Sequence, residues 1–404
     1  MIADLHAHYP MHLRPKLHGS LVRLIASAPG RWRLLDEVRF MLVHAASLIG
    51  NYQRYNTGPR VTVPLLHQGG VGLALSVLYS PFDEMDLRKR YGSPPDSTYF
   101  PTLIRELEDV EAEVAREQVG RARIVHHPDE LKAAVDAGEV ALVHCVEGGF
   151  HLGGTPEEID RNVTELAARG CLYVTVAHLF YRSVATNVNA IPFLPDRIYD
   201  LLFPMPEEVG LTELGRAAVR AMAREGVLVD LSHMSATGIE QTLTLLDELD
   251  PGRAVPVIAS HGGYRFGRDP YNLSVETIER IAARNGVVGL ILAVHQAAEG
   301  LGYPRNLDDS LALLYRHIDR LREITGSHRH TAIGTDFDGF IKPTLPGLEN
   351  ARDLARLETG LIDRYGPDDA ELITSANVIR LAHTYWRGGL TPEGPPRPRP
   401  RSWG

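Results

Sequence analysis

The 404-residue chain predicts an α/β protein folded as a (β/α)8 TIM-type barrel with a metal site at one rim. Short β-rich runs alternate with helical stretches, the runs are apolar throughout, and most of them end in histidine or an acid. Continuous apolar character is what strands buried on both faces require. In a closed barrel the functional side chains stand at the C-terminal strand ends.

Eight runs qualify as strands: Ile2 to Leu5, Gly72 to Leu78, Val140 to Val146, Leu172 to Ala177, Val227 to Leu231, Pro256 to Ala259, Val287 to Leu292 and Thr331 to Gly334. Between them, Pro156 to Arg169 follows a threonine cap, and Thr212 to Glu225 carries apolar residues at helical spacing. Two connections exceed a minimal barrel. Leu13 to Leu66 reads as largely helical, and Ser183 to Glu208 as irregular; both leave strand ends where loops cover active sites. Residues 1–387 are therefore expected to form one barrel domain with a helical insertion at about 13–66. The Pro/Arg-rich tail, 388–404, is expected to be extended and poorly ordered.

Composition narrows the function. The net charge of -9 is spread along the chain without a basic stripe, which argues against nucleic acid. No apolar run reaches the roughly 18 residues of a membrane span, and the first residues lack a leader's pattern, so a cytoplasmic protein is expected. Two cysteines in apolar surroundings, Cys145 and Cys171, read as buried thiols.

The rim residues carry the chemistry. The strands end, in order, in His6 and His8, Glu147, His178, His233, His261 and Asp336. Side chains two apart on a strand share a face, so His6 and His8 are expected to hold one ion with Asp336. His233 and His261 are expected to hold a second, with Glu147 bridging the two. Imidazoles and carboxylates without thiolate suit two zinc ions per chain, or another divalent metal. Asp4 and Asp230 are expected to orient ligands from behind, and Asp338 to cap a loop. His144 should face away from the rim, and like His12, His67, His151, His295, His328, His330 and His383 it reads as structural.

Several segments resemble the membrane (renal) dipeptidase family of the amidohydrolase superfamily. They are Glu147-Gly148-Gly149, His178, Gly210-Leu211-Thr212, Asp230-Leu231-Ser232-His233, Ser260-His261, Gly334-Thr335-Asp336-Phe337-Asp338-Gly339 and Asn377-Val378-Ile379-Arg380. The resemblance covers nearly the whole chain apart from the segment before the second strand and the tail. It implies that His6 and Asp336 bind the first zinc, that Glu147 bridges, that His233 and His261 bind the second, and that His178 contacts the substrate. It also implies a dipeptide as the small-molecule substrate, and similar proteins are frequently homodimers.

Three positions depart from the family pattern. His8 stands where the family has Asp, which removes a negative charge from the cluster. Tyr271 stands where the family has an arginine for the substrate carboxylate; Arg265 and Arg268 are nearby candidates for that task. Arg182 replaces an expected Asn and could clamp a carboxylate itself. The expected reaction is attack on the carbonyl of a dipeptide or small amide by a hydroxide bridging the metals, with Asp336 moving the proton, Glu147 holding the ions and His178 stabilising the oxyanion. A lactonase, deaminase or phosphoesterase on the same scaffold is the alternative, and a binding barrel without turnover the third reading.

Overall fold

β-branched and aliphatic runs, separated by segments long enough for helical crossovers, form nine parallel strands. The computed structural model describes residues 1–13, 34–49, 58–206, 208–339 and 343–389. The strands are β1 (Ile2–Ala7), β2 (Val71–Leu78), β3 (Ala122–Ile124), β4 (Val140–Glu147), β5 (Tyr173–Thr175), β6 (Leu228–Asp230), β7 (Val257–Gly262), β8 (Val287–Leu290) and β9 (Thr331–Ile333). They run in the order β2-β1-β9-β8-β7-β6-β5-β4-β3, and pairing of β2 with β4 closes the ring. The eight anticipated strands are the eight staves of this barrel, with helices between them, so the expected (β/α)8 architecture is the one observed.

The strand missing from the sequence reading is β3. Ala122-Arg123-Ile124 is too short to show a pattern, and it pairs with the first residues of β4, beneath the place where β5 joins that edge. Alternation along the staves divides the apolar side chains between two clusters. Leu73, Leu75 and Val77 of β2 meet Ala141, Val143 and Cys145 of β4 in one; Ala74, Leu78, Leu142 and Val146 pack against the flanking helices in the other. Cys145 and Cys171 are buried and unpaired.

Local signals set the crossovers. The Thr155 hydroxyl accepts from Glu158 N at 3.2 Å to start the helix Pro156–Ala168. Thr212 does the same for Gly215 N at 3.2 Å, and the helix Glu213–Glu225 ends at Gly226 with φ 76°. Of the insertion before β2, a helix spans Leu34–Ile49. The segment after β5 is largely irregular, with one helix at Asp196–Leu202. It is packed and not loose: Val188 N donates to His233 O at 2.8 Å, and Asn187 Nδ2 donates to Leu179 O at 3.0 Å. The segment therefore lies across the end of β6. The tail expectation falls outside the described residues except for Gly388 and Gly389. Among the described residues no helix is long and apolar enough to cross a membrane.

One inward position shows how tight the barrel is. A Cβ on Gly289 of β8 would collide with the backbone carbonyl of Ser260 on β7. Gly289→Ala should therefore destabilise the protein by about 1–3 kcal/mol, the usual range for overpacking, seen as a lower urea midpoint with an unchanged slope. An unchanged midpoint would show that the neighbouring stave can give way.

Candidate metal centre

Seven side chains from separate stretches converge at the C-terminal rim. β1 delivers His6 and His8, β4 ends in Glu147, and the loops after β5, β6 and β9 carry His178, His233 and Asp336; β7 carries His261. All are buried, from 0% exposure at His6 to 7% at His178 and Asp336. His233 and Asp336 adopt φ of 65° and 56°, a left-handed backbone that costs a non-glycine residue about 1–3 kcal/mol and is typical of functional sites. Gly148, directly after Glu147, has φ 97°, and any Cβ there would strike the Phe150 ring.

Glu147 is the hub. Its Oε1 lies 3.3 Å from His6 Nε2, 3.4 Å from His233 Nε2 and 3.7 Å from His261 Nε2. Its Oε2 lies 3.3 Å from His8 Nε2 and 3.1 Å from His178 Nε2. Asp336 Oδ1 is 3.3 Å from His8 Nε2 and 3.8 Å from His6 Nε2. Burial pushes the Glu147 carboxyl up, but the imidazoles of His178, His6 and His8 outweigh it and hold the group well below the usual carboxylate range.

The tautomers follow from the hydrogen bonds behind the rings. The Tyr173 hydroxyl donates its single proton to Leu5 O at 2.9 Å, so at 2.8 Å from His6 Nδ1 it accepts. Nδ1 of His6 therefore carries a proton and Nε2 is the nitrogen turned to the cluster; burial lowers this ring, but Glu147 and Asp336 outweigh it and raise it, so in the absence of an ion they favour a second proton at Nε2. Ser260 Oγ likewise donates to Asp230 Oδ2 at 2.6 Å and receives the His261 Nδ1 proton at 2.8 Å. His261 Nε2 is likewise turned to the cluster, 2.9 Å from His233 Nε2, while His6 Nε2 is 3.3 Å from His8 Nε2. Lone pairs aimed at one another around two carboxylates repel unless a cation or proton stands between them. Burial, followed by the neighbouring His6, holds the His261 ring well below its ordinary value, which disfavours the proton. The donor set thus fits divalent cations, with groupings of His6, His8 and Glu147, of His6, His261 and Asp336, and of Glu147, His178 and His233 within ligand range.

Asp230 organises the support, accepting from Ser260 N at 2.8 Å, Ser232 N at 3.1 Å and Thr175 Oγ1 at 2.5 Å. Asp4 accepts from Thr335 N at 3.0 Å and Thr335 Oγ1 at 2.7 Å; burial still pushes it up to about 6. Asp338 caps the backbone N–H groups of Arg60 and Val61, at 2.9 and 3.0 Å, and does not join the cluster.

One member was absent from the sequence reading. Glu84, in the short helix Pro81–Glu84 after β2, accepts from His178 Nδ1 at 2.9 Å, from the Tyr79 hydroxyl at 2.6 Å and from Phe180 N at 2.9 Å. Burial lowers the His178 ring, but Glu147 and Glu84 together raise it to about 10. With its Nδ1 proton committed to Glu84, the cationic ring points its other N–H at Glu147. The only signal for Glu84 was its place just past a strand end.

The substrate-contact candidates separate. Tyr271 is buried, with its ring centroid 5.2 Å from that of His233 and 6.2 Å from that of His261. Arg265 instead donates to Asn272 O at 2.8 Å and Pro270 O at 3.1 Å, and Arg268 is exposed in the same loop. Arg182 differs from the expected clamp: it is buried, and its Nε donates to Glu84 O at 2.7 Å with Nη2 on the carbonyls of Glu84 and Asp86. These bonds fix the helix that carries Glu84, while Arg182 Nη1 has no hydrogen-bond partner.

A parallel eight-stranded barrel whose rim gathers imidazoles around a central carboxylate belongs to the class of scaffolds used for metal-assisted hydrolysis. The profile of the membrane dipeptidase family (peptidase family M19) matches residues 30–385, and the chain belongs to that family. It is 28% identical over 264 residues to an uncharacterized dipeptidase of Schizosaccharomyces pombe, covering 65% of this chain and 57% of that one. With a dipeptidase of Claviceps purpurea it shares 26% identity over 268 residues, 65% of this chain and 55% of that one. The chain thus spans a little over half the length of these curated relatives. In fold it is similar to a metallopeptidase from Rhodobacter sphaeroides liganded with a phosphinate mimic of L-Ala-D-Ala, with a TM-score of 0.67, 18% identity, and 95% and 99% of the two chains covered. The probable dipeptidase PvdM of Pseudomonas aeruginosa gives a TM-score of 0.64 at 18% identity, covering 82% of this chain and 90% of that one.

Tyr173→Phe and Ser260→Ala remove the groups that hold the Nδ1 protons, and each should weaken zinc binding about 10–100-fold in competition with a chromophoric chelator. Wild-type affinity in both variants would show that these hydroxyls do not set the rings.

Proposed function

We propose that this protein is a metal-dependent hydrolase of dipeptides or closely related small amides, with a pair of divalent ions, zinc in the first instance, held by His6, His8, Glu147, His233, His261 and Asp336. The observation that carries this reading is the central carboxylate of Glu147, whose Oε1 lies 3.3–3.7 Å from the Nε2 atoms of His6, His233 and His261 and whose Oε2 lies 3.3 Å from that of His8. One bridging carboxylate between two nitrogen sets is the arrangement a two-metal hydrolase needs. Family membership and the similarity to dipeptidases support an amide as the scissile bond.

When bound, the ions would polarise the carbonyl and make water nucleophilic near neutral pH. The residues of the chain supply the rest. Asp336 sits at the edge of the cluster and is placed to take a proton from the attacking water and deliver it to the leaving nitrogen. His178, held cationic against Glu84, offers an N–H to the oxygen on which charge develops. The Tyr271 ring beside His233 and His261 is a wall for the substrate. His8 leaves the cluster one negative charge short of the family pattern, which favours substrates that bring an anionic group. A substrate carboxylate has the cationic cluster as its first partner, with Arg182, whose Nη1 has no hydrogen-bond partner, as a candidate for a second contact.

Asp336→Ala and Glu147→Ala should each lower turnover of a dipeptide panel by at least about 100-fold, with loss of bound metal for Glu147→Ala. Chelation should abolish the wild-type activity and zinc should restore it. Retention of most activity at unchanged metal content in either variant contradicts the assignment. Turnover of lactones or phosphoesters but no dipeptide by the zinc-loaded protein would move the function to the alternative reading.

A further inference from the structure

We infer that the protein carries a separate divalent-metal site on the outside of the barrel, formed by Glu111, His126 and His144 and suited to zinc or a neighbouring transition-metal ion. The short strand β3 creates it. β3 pairs with β4 so that Ala122, Arg123 and Ile124 stand opposite Val140, Ala141 and Leu142, and Val125 N donates to Leu142 O at 2.9 Å. Carried two residues on, this register puts His126 beside His144, with ring centroids 6.3 Å apart. Alternation turns His144 outward, away from Glu147. There it meets the helix Tyr99–Glu117, which supplies Glu111.

Glu111 Oε1 lies 2.8 Å from His126 Nε2 and 3.4 Å from His144 Nε2, and the three ligand atoms lie within 4.8 Å of one another. Those are separations that ligands of one ion adopt. An ordinary ion pair between Glu111 and His126 accounts for two of the residues but not for the third. His144 is completely buried; its Nδ1 has no partner, and its Nε2 has only a long 3.4 Å contact to the Glu111 oxygen that His126 already holds. Such an orphaned polar group typically costs about 1–3 kcal/mol. An ion between the three residues would give Nε2 of His144 a partner, and Glu111 could lend both oxygens. The nearby cations do not compete for the position: Arg123 is paired with Glu139, and Arg169 with Glu108 and Glu165. An adjoining groove of about 480 Å3, lined by Glu111 and His126 among others, leaves room for a water as a further ligand.

Two imidazoles and a carboxylate with one open position are a ligand set for zinc, and cobalt or nickel fit the same donors. The three residues come from a helix, the loop after β3 and a barrel stave, so an ion here would pin the outer layer to the wall. It acts on the face of β4 opposite Glu147 and takes no part in the proposed chemistry.

The test counts metal in the full-length protein. After equilibration with zinc and gel filtration, wild type should retain one zinc per chain more than His126→Ala or Glu111→Gln, and each variant should bind that ion at least about 10-fold more weakly. His126 has 36% of its side chain exposed, so its replacement should leave the fold intact. Since the proposed function places metal at the rim as well, the same comparison is repeated with Glu147→Ala as background. Zinc should still raise the Tm of that protein, and adding His126→Ala should remove the rise. Equal zinc counts in wild type and both variants, with equal Tm responses, would reduce the cluster to an ion pair and overturn the inference.

Discussion

The rim of this barrel depends on a single electrostatic constraint: imidazole Nε2 atoms are turned toward one another around a buried carboxylate. Tyr173 and Ser260 impose it by receiving the Nδ1 protons of His6 and His261, which directs each Nε2 toward Glu147. Leu5 O fixes the Tyr173 hydroxyl and Asp230 that of Ser260, while the left-handed turns at His233 and Asp336 hold their side chains inward. Protons or divalent cations can occupy the space between these nitrogens, and burial turns His261 against the proton.

A second layer acts through His178. Glu84 binds its Nδ1, Tyr79 and Phe180 bind Glu84, and Arg182 fastens the carbonyl of the same residue. The ring next to Glu147 is therefore kept cationic and aimed, while the segment after β5 packs across the end of β6. The family's Asp at position 8 is a histidine here, so the cluster rests on two carboxylates, Glu147 and Asp336, with the acids behind them hydrogen-bonded to serine, threonine and backbone.

The rim was legible in the sequence because barrel geometry converts strand ends into neighbours. His6, Glu147, His261 and Asp336 each stand at the end of an apolar run, and β-structure leaves few other places for them to go. The eight staves were legible for the same reason. What stayed hidden was contact between residues with no shared pattern. Glu84 meets His178 across 94 positions, and nothing in Ser-Pro-Phe-Asp-Glu specifies that partner. Tyr173 and Ser260 looked like ordinary strand residues until their hydroxyls could be placed. Arg182 stood out by replacing an expected Asn, but its bonds to the carbonyls of Glu84 and Asp86 join segments nearly a hundred positions apart and have no sequence signal. His144 was rightly directed away from the rim by alternation, but its neighbours are Glu111 of the helix Tyr99–Glu117 and His126, placed by β3, a strand of 3 residues that no periodicity reveals.

Anomalous diffraction at the zinc edge, from crystals grown with zinc, addresses the central claim most directly. The account predicts two peaks about 3.5–4 Å apart, one on each side of the Glu147 carboxylate and each touching bare Nε2 atoms. An intact cluster without anomalous density at saturating zinc, its imidazoles joined by protons instead, would contradict it.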